Sequence, residues 1–536
     1  MQERIQRTVI IVIAAVIALL IVVTIPWHMD EFVAYHALAC WQHAQQLNFY
    51  RLSCSGYPTE IFGFKYQRSY TYIGISSSLL FSPFYFAFHS LYSHYIVGFL
   101  SATVVGAGIK KSFNFSRDQA LALFLYFPVV FTFLHSNGPE RIGLMVIAWS
   151  PYLIQRFVLS AGGRKFLWGV ILIALWCLAV EDKPFFIFLF PGLLSLTVAS
   201  FFAVDILGIA RMKWKNLTQL VLCGLFAVFS ELLLMQANGV SYARFLAHDW
   251  RYDTILNQKS GLAQMVLGPV RRLLVGLLFA FDWPYYSHRT TDFEHLSEAS
   301  KNPVVQVIAQ YLPIGSSTIV ILSLVLTLLV SFTVIWLIAK SIKTLFVSKF
   351  QRQNAILFAL LVSFIIFQGS IAISGGWALH HFIYAQIPLF ILLTIGYSRL
   401  ALPKFGLHWL FAFLSCVSLV SIGLLPTQIK VSSEIDEVFN QAIELSHPDD
   451  VINCGSWGCY ATYSLLNKGD RSVTYAETDG EIDRLQSSVF QKNIRVFHLC
   501  MKCDIGIVQS LYVGQSVNEV DTGTKDWHLF EVSKND

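Results

Sequence analysis

The chain is 536 residues long, 55% hydrophobic and only 13% charged, about half the charged share of an ordinary soluble domain. That balance excludes a soluble globular protein and calls for lipid as solvent. The net charge of +5 is small and spread along the sequence, which points away from a nucleic-acid partner, while the 44 Phe, 22 Tyr and 13 Trp suit helix packing and interfacial belts.

The first apolar run, Val9 to Ile25, follows Arg4 and Arg7 and leads into Pro26, Trp27, His28, Met29, Asp30 and Glu31 with no small-residue cleavage site. It reads as a retained first helix with a cytoplasmic amino terminus. Residues 70–90 are broken by Pro83 and rich in Tyr and Ser, and read as a juxtamembrane helix. Apolar windows at 92–109, 118–135, 142–159, 166–180, 185–209, 217–237, 316–339, 354–374, 381–399 and 405–425 each approach the length that crosses hydrocarbon. The expected fold is therefore a polytopic α-helical membrane protein with about eleven transmembrane helices.

Five basic clusters then fall on one face: Lys110, Lys111 and Arg117; Arg156, Arg164 and Lys165; Arg211, Lys213 and Lys215; Lys340, Lys343 and Lys349; Arg399 and Lys404. Positive charge inside makes that face cytoplasmic. The segment 264–283 carries Arg271 and Arg272, and a lone crossing there would move the Lys340–Lys349 cluster outside, so it reads as interfacial or re-entrant. This parity gives a transmembrane domain over 1–426 with outer loops at 26–90 and 238–315, shorter outer loops at 135–141 and 181–184, and an extracytoplasmic domain over 427–536. The expected location is a plasma membrane or bacterial inner membrane.

After Pro426 the composition changes to polar stretches interleaved with short apolar runs such as Val451-Ile452-Asn453 and Ile494-Arg495-Val496-Phe497, the pattern of a small α/β domain. It carries Cys454, Cys459, Cys500 and Cys503, with Cys40 and Cys54 in the first outer loop. In an oxidising compartment these read as disulfide candidates of open connectivity; a tetrahedral zinc site is the competing reading of the tail's two close pairs. Cys177, Cys223 and Cys416 fall in apolar windows as packed thiols.

Chemistry is sought in the outer loops. Asp30-Glu31 directly follows the first helix, where partial desolvation can tune a carboxylate as a general base; a helix-capping acid is the plainer reading. Glu140-Arg141 lie in H-S-N-G-P-E-R-I-G, and Asp182, Lys183 and Pro184 in E-D-K-P. A lysine there suits a phosphate leaving group, against simple interfacial charge balance. Arg244, Arg251, Arg271 and Arg272 stand among Tyr242, Trp250 and Tyr252, suited to phosphate and sugar or to anionic headgroups. Glu231 interrupts an apolar helix, where a charge is functional or paired by default. His380 and His381 point about 100° apart on a helix, which disfavours one shared ion.

The short amino terminus, the single helix, the D-E opening of the first outer loop with Tyr35 and Ala37 behind it, and the stretch F-K-Y-Q-R-S-Y-T-Y-I-G containing Arg68 together resemble the GT-C superfamily of membrane glycosyltransferases. The similarity is to the branch with protein O-mannosyltransferases and lipid A aminoarabinose transferases, and it covers roughly residues 1–210. It implies that Asp30 is the catalytic base, with Glu31 second, and that the donor is a sugar on a polyprenyl phosphate. The implied reaction is an inverting transfer to an acceptor hydroxyl on the extracytoplasmic side. Expected partners are the lipid-linked donor, membrane lipid and a glycan, lipid or protein acceptor. No cofactor is required; a divalent metal is possible but not indicated, since no D-x-D triplet follows the first helix. The rivals are a transporter or lipid flippase, which would show paired broken helices in two related halves, a polysaccharide polymerase or ligase using a lipid diphosphate, and a non-catalytic assembly subunit.

Overall fold

A computed structural model describes residues 2–24, 59–61, 63–66, 74–77, 79–80, 83–84, 93–133, 140–204, 214–237, 352–373, 383–399, 404–424, 433–455, 472–475, 493–501, 503–524 and 527–535, with isolated residues between them. Two compact units result, one from Met1–Pro26, Pro83–Met235 and Ser241–Pro426, the other from Trp27–Ser82, Gln236–Val240 and Thr427–Asp536.

The first unit is helical. Its elements are α1 (Gln2–Thr24), α2 (Ser93–Phe113), α3 (Arg117–Phe124), α4 (Phe127–Phe133), α5 (Glu140–Leu159), α6 (Gly162–Asp182), a 3-10 turn (Pro184–Leu189), α7 (Phe190–Ala203), α8 (Trp214–Ala237), α9 (Arg352–Ile373), α10 (Gln386–Arg399) and α11 (Lys404–Leu424). Among the described residues, six helices are long and apolar enough to cross a membrane: those beginning at Tyr95, Glu140, Gly162, Pro184, Trp214 and Ala355. Shorter apolar helices lie at Thr8–Ile21, Ile383–Ser398 and Gly406–Cys416. α9 packs on α7, α5 on α6 and α2, and α1 on α11.

The window 118–135, expected as one span, is two short helices. Leu125 N–H still donates to Leu121, but Tyr126 N–H reaches back only to Leu123. Pro128 sits in the first turn of α4; it has no N–H to continue an α-helical ladder, so the chain restarts there. The window 185–209 likewise opens as a 3-10 turn, with Pro184 at its start and Pro191 beginning α7.

The helices carry charge unequally at their two ends. Ser112 Oγ donates to Ala148 O, Gln155 Nε2 to Ser112 O, Gln119 Nε2 to Ser398 Oγ and Lys165 Nζ to Asn216 Oδ1. These bonds bring the end of α2, the start of α3, the end of α5, the starts of α6 and α8 and the end of α10 to one level. Lys110, Lys111, Arg117, Arg156, Arg164 and Lys215 are all exposed at that level. Glu140 lies at the far end of α5, sixteen residues from Arg156 and therefore about 24 Å away along the axis.

The second unit holds a two-stranded antiparallel hairpin, β1 (Thr59–Ile61) with β2 (Phe64–Tyr66), and the folded tail. In the tail, α12 (Ser433–Leu445) precedes β3 (Val451–Cys454), β4 (Ser472–Tyr475), β5 (Val496–Met501), α13 (Ile505–Leu511), β6 (Gln515–Val520) and β7 (Trp527–Lys534). The sheet order is β4-β3-β5-β7-β6, parallel through the first three and antiparallel at β7 and β6. Side chains alternate between two cores, as the strand period requires: Ile452, Phe497, Leu499 and Leu529 pack with Val438, Phe439 and Ala442 of α12, whereas Val451, Val496, Phe530 and Val532 pack with Val508 and Tyr512. Arg495 bridges Asp450 and Glu531, each at 2.7 Å.

Cys500 and Cys503 are joined, and Cys454 is also disulfide-bonded. Cys177, Cys223 and Cys416 are free thiols, with Cys416 exposed and Cys223 buried.

A buried polar triad crosses the middle of the sheet. Asn453 Nδ2 donates to His498 Nδ1 at 2.9 Å and to Tyr512 Oη at 3.0 Å. Burial pushes His498 down to about 4, below its ordinary value near 6.5. The unfolded chain therefore binds the extra proton first, so this contribution is complete above about pH 6.5 and is lost as pH falls towards 4. Over that window the tail should lose about 3 kcal/mol, read by hydrogen exchange of β5 in the intact protein after correction for intrinsic rates. A His498→Asn variant should lack this pH dependence; an unchanged profile would show that His498 does not remain neutral in the fold.

Candidate functional site

The end of the bundle away from the exposed lysines and arginines is built by a sequence rule at each helix terminus. In E-D-K-P, Pro184 disfavours helical backbone in the residue before it. Lys183 accordingly leaves α6 in an extended conformation, φ −145° and ψ 102°, with its N–H still donating to Ala179 O. Across from it α5 starts at Glu140, an acid in the first turn where the helix dipole favours it.

The two termini meet. Lys183 Nζ donates to Glu140 Oε1, and both side chains are buried. Arg141, Glu181 and Asp182 are buried beside them, Arg141 and Asp182 completely. Glu181 and Asp182 sit in the last turn of α6, where the dipole opposes negative charge. Buried acids at that terminus work against helix stability, as residues retained for a site do.

Glu231 belongs to the same end. Lys165 pairs with Asn216, and Cys177 Sγ lies 3.5 Å from Ser230 Oγ, so α6 and α8 run parallel. Glu231 is thus level with the residues just after Cys177, about one helical turn below Asp182. Its side chain is buried while Leu232 and Leu233 beside it are exposed, which turns the carboxylate into the bundle.

Tyr384, just before α10, completes the layer. Its hydroxyl is enclosed and, among the described residues, makes no hydrogen bond. Its ring stacks on Phe185 with centroids 6.2 Å apart and planes at 23°. A Cβ added at Gly143, one turn along α5 from Glu140, would fall 2.8 Å from Tyr384 Cε1 and 3.0 Å from its hydroxyl oxygen. Glycine there is what lets the tyrosine in.

Glu140, Arg141, Asp182, Lys183 and Glu231 are thus gathered towards one end of the bundle. Asp30, Glu31, Arg68, Arg244, Arg251, Arg271, Arg272, His380, His381, Cys40, Cys54 and Cys459 lie outside the described residues. Among the described residues no three of His, Cys, Asp and Glu converge as a metal-ligand set. Sequence reasoning passes over Tyr384 because one tyrosine in H-H-F-I-Y-A looks like any interfacial aromatic.

No family model matches the chain, and no curated protein matches it. Two crystal structures of ArnT from Cupriavidus metallidurans are similar to it. The form bound to undecaprenyl phosphate has a TM-score of 0.47 and 12% identity, over 98% of this chain and 97% of that one. The apo form has a TM-score of 0.46 and 13% identity, over 99% and 98%. No residue role is carried across from them.

Proposed function

We propose that the chain is an inverting glycosyltransferase of the GT-C type, with about eleven spans, moving a sugar from a polyprenyl-phosphate donor to an acceptor hydroxyl on the extracytoplasmic side. The observation that carries this reading is the buried acid–base layer around the Lys183–Glu140 pair, set at the end of the bundle opposite the exposed lysines and arginines. Positive charge marks the cytoplasmic end of membrane helices, which supports an outer-side position for the layer in this reading. The resemblance of the Asp30-Glu31 loop supplies the chemistry.

In this scheme Asp30 takes the proton from the acceptor hydroxyl, and the oxygen attacks the anomeric carbon in one displacement that inverts it. Glu31 orients Asp30. Lys183, whose ammonium has three donors of which Glu140 takes one, neutralises the departing phosphate, helped by Arg244, Arg251, Arg271 and Arg272. The leaving group is already anionic, so no general acid and no cofactor is required. The tail, 427–536, lies on the same side of the membrane as the site.

The test is transfer from synthetic polyprenyl-phosphate sugars in proteoliposomes, with the product read by mass and the tail located by a reporter fused after residue 430. Sugar transfer with an outward tail is expected. Movement of the intact lipid across the bilayer without transfer would make the chain a flippase, a requirement for a lipid diphosphate donor would make it a polymerase or ligase, and a cytoplasmic tail would remove the proposed site from its compartment.

A further inference from the structure

We infer that the basic end of the α5–α6 hairpin is a binding site for an anionic phospholipid of the surrounding bilayer, with the phosphate on Arg156 and Arg164 and the lipid body on Tyr152, Trp168 and Trp149. None of these residues belongs to the proposed transfer site, so the lipid site stands whether or not the chain transfers a sugar.

The geometry starts from Tyr152. Its ring meets Trp149, one turn before it on α5, with centroids 6.0 Å apart, and Trp168 of α6 with centroids 6.4 Å apart. Trp176 Nε1 donates to Ser150 Oγ while Gly169 lies against Phe157, so α5 and α6 run antiparallel. Arg156 is one turn beyond Tyr152, and Arg164 one turn before Trp168, which sets the two arginines level. Both are exposed, and the three rings are half-buried. Trp149 lies seven residues from Arg156, about 10 Å along the axis. Cations at the end of the bundle are thus followed inward by aromatic rings, the order in which a phospholipid presents its phosphate, glycerol and acyl chains. Trp149 Nε1 donates to Val104 O at 2.8 Å, and Leu100 and Val104 on α2 are exposed apolar side chains that lipid chains would cover.

Basic residues by themselves are ordinary at this end of membrane helices. What sets Arg156 apart is that it is held. Its Nε donates to Tyr152 Oη at 3.0 Å, and its guanidinium carbon lies 5.0 Å from the centre of that ring. This fixes the guanidinium and leaves its two terminal NH2 groups for the paired contact that arginine makes with phosphate. Among the described residues no carboxylate pairs with Arg156 or Arg164. Lys165, by contrast, is turned onto Asn216 and the Phe157 ring.

The test uses the full-length protein in a neutral detergent and reads bound lipid by native mass spectrometry. Phosphatidylglycerol and phosphatidylcholine with the same acyl chains are titrated separately, beside soluble glycerol phosphate and polyprenyl phosphate. Wild type should bind the first phosphatidylglycerol roughly ten- to hundredfold more tightly than phosphatidylcholine, the scale of charge-assisted hydrogen bonds. Glycerol phosphate should not compete, because it lacks the part that lies on the rings. Arg156→Gln should remove most of the preference. Tyr152→Phe keeps the ring and releases Nε, and should remove a smaller part. Arg117→Gln takes an equally exposed cation from the start of α3 and should leave the preference within about twofold. Thermal unfolding checks each variant, and Tyr152→Phe decides the matter should Arg156→Gln fold poorly.

Equal losses in Arg117→Gln and Arg156→Gln overturn the inference, since the charge of the whole end would then suffice. A wild type without preference overturns it too, as does a full preference in Tyr152→Phe and Arg156→Gln. Competition by glycerol phosphate would make this a free-phosphate site, and tighter binding of polyprenyl phosphate that Arg156→Gln abolishes would make it a site for the long lipid; either result removes the phospholipid.

Discussion

Asp30→Asn should abolish sugar transfer, lowering turnover by about a hundredfold or more while folding and donor binding persist. Asparagine keeps the shape of the side chain and removes the carboxylate that takes the proton, so the substitution isolates proton abstraction from packing. Glu31→Gln should be milder, because an orienting group shifts the base without replacing it. The measurement is single-turnover transfer in proteoliposomes, with folding followed by thermal unfolding. Near-normal turnover in a well-folded Asp30→Asn sample would leave Asp30 as a helix-capping acid. If Glu31→Gln were then the dead variant, the two acids would exchange roles. If both stayed active, the base would lie elsewhere, with Glu140, Asp182 and Glu231 the next residues to replace.

The sequence is legible wherever the physics is local. Apolar windows locate α2, α5, α6, α8, α9 and α11 to within a few residues because a run of lipid-compatible side chains needs no knowledge of its neighbours. The end of α6 is legible in Pro184, and the strands at Val451 and Val496 in their short apolar runs. Expectation fails where local and non-local terms compete. The run 118–135 is apolar enough for one span, yet a single missing N–H at Pro128 divides it. The order β4-β3-β5-β7-β6 depends on pairings between strands far apart in the chain, which composition does not encode.

The site divides in the same way. E-D-K-P and P-E-R are visible as charged interruptions; the lysine of the first reads as a phosphate-binding group, and both read alternatively as charge balance. That Lys183 is bonded to Glu140, across 43 positions, is a fact of tertiary packing that neither motif announces. Tyr384 is harder still, since what distinguishes it is an absence: among the described residues, no partner for its hydroxyl, and no Cβ at Gly143. Both emerge only when the helices are brought together.

Replacing Lys183 with Met should have the largest effect on stability. It leaves the Glu140 carboxylate buried without its ammonium partner, and breaking a buried pair from one side typically costs about 3–5 kcal/mol. Thermal unfolding in nanodiscs should show the loss, and transfer should disappear with it. Activity lost this way says nothing about chemistry by itself, because a damaged end of α5 and a missing phosphate contact look alike. Lys183→Met with Glu140→Gln separates them. The double variant buries two neutral side chains of similar volume, and such replacements are often neutral or stabilising, so the unfolding midpoint should return most of the way. Transfer should remain absent, since no cation then meets the departing phosphate. If transfer returned together with stability, Lys183 would serve only to hold α5 against α6, and the phosphate would have to be met by the arginines between 244 and 272.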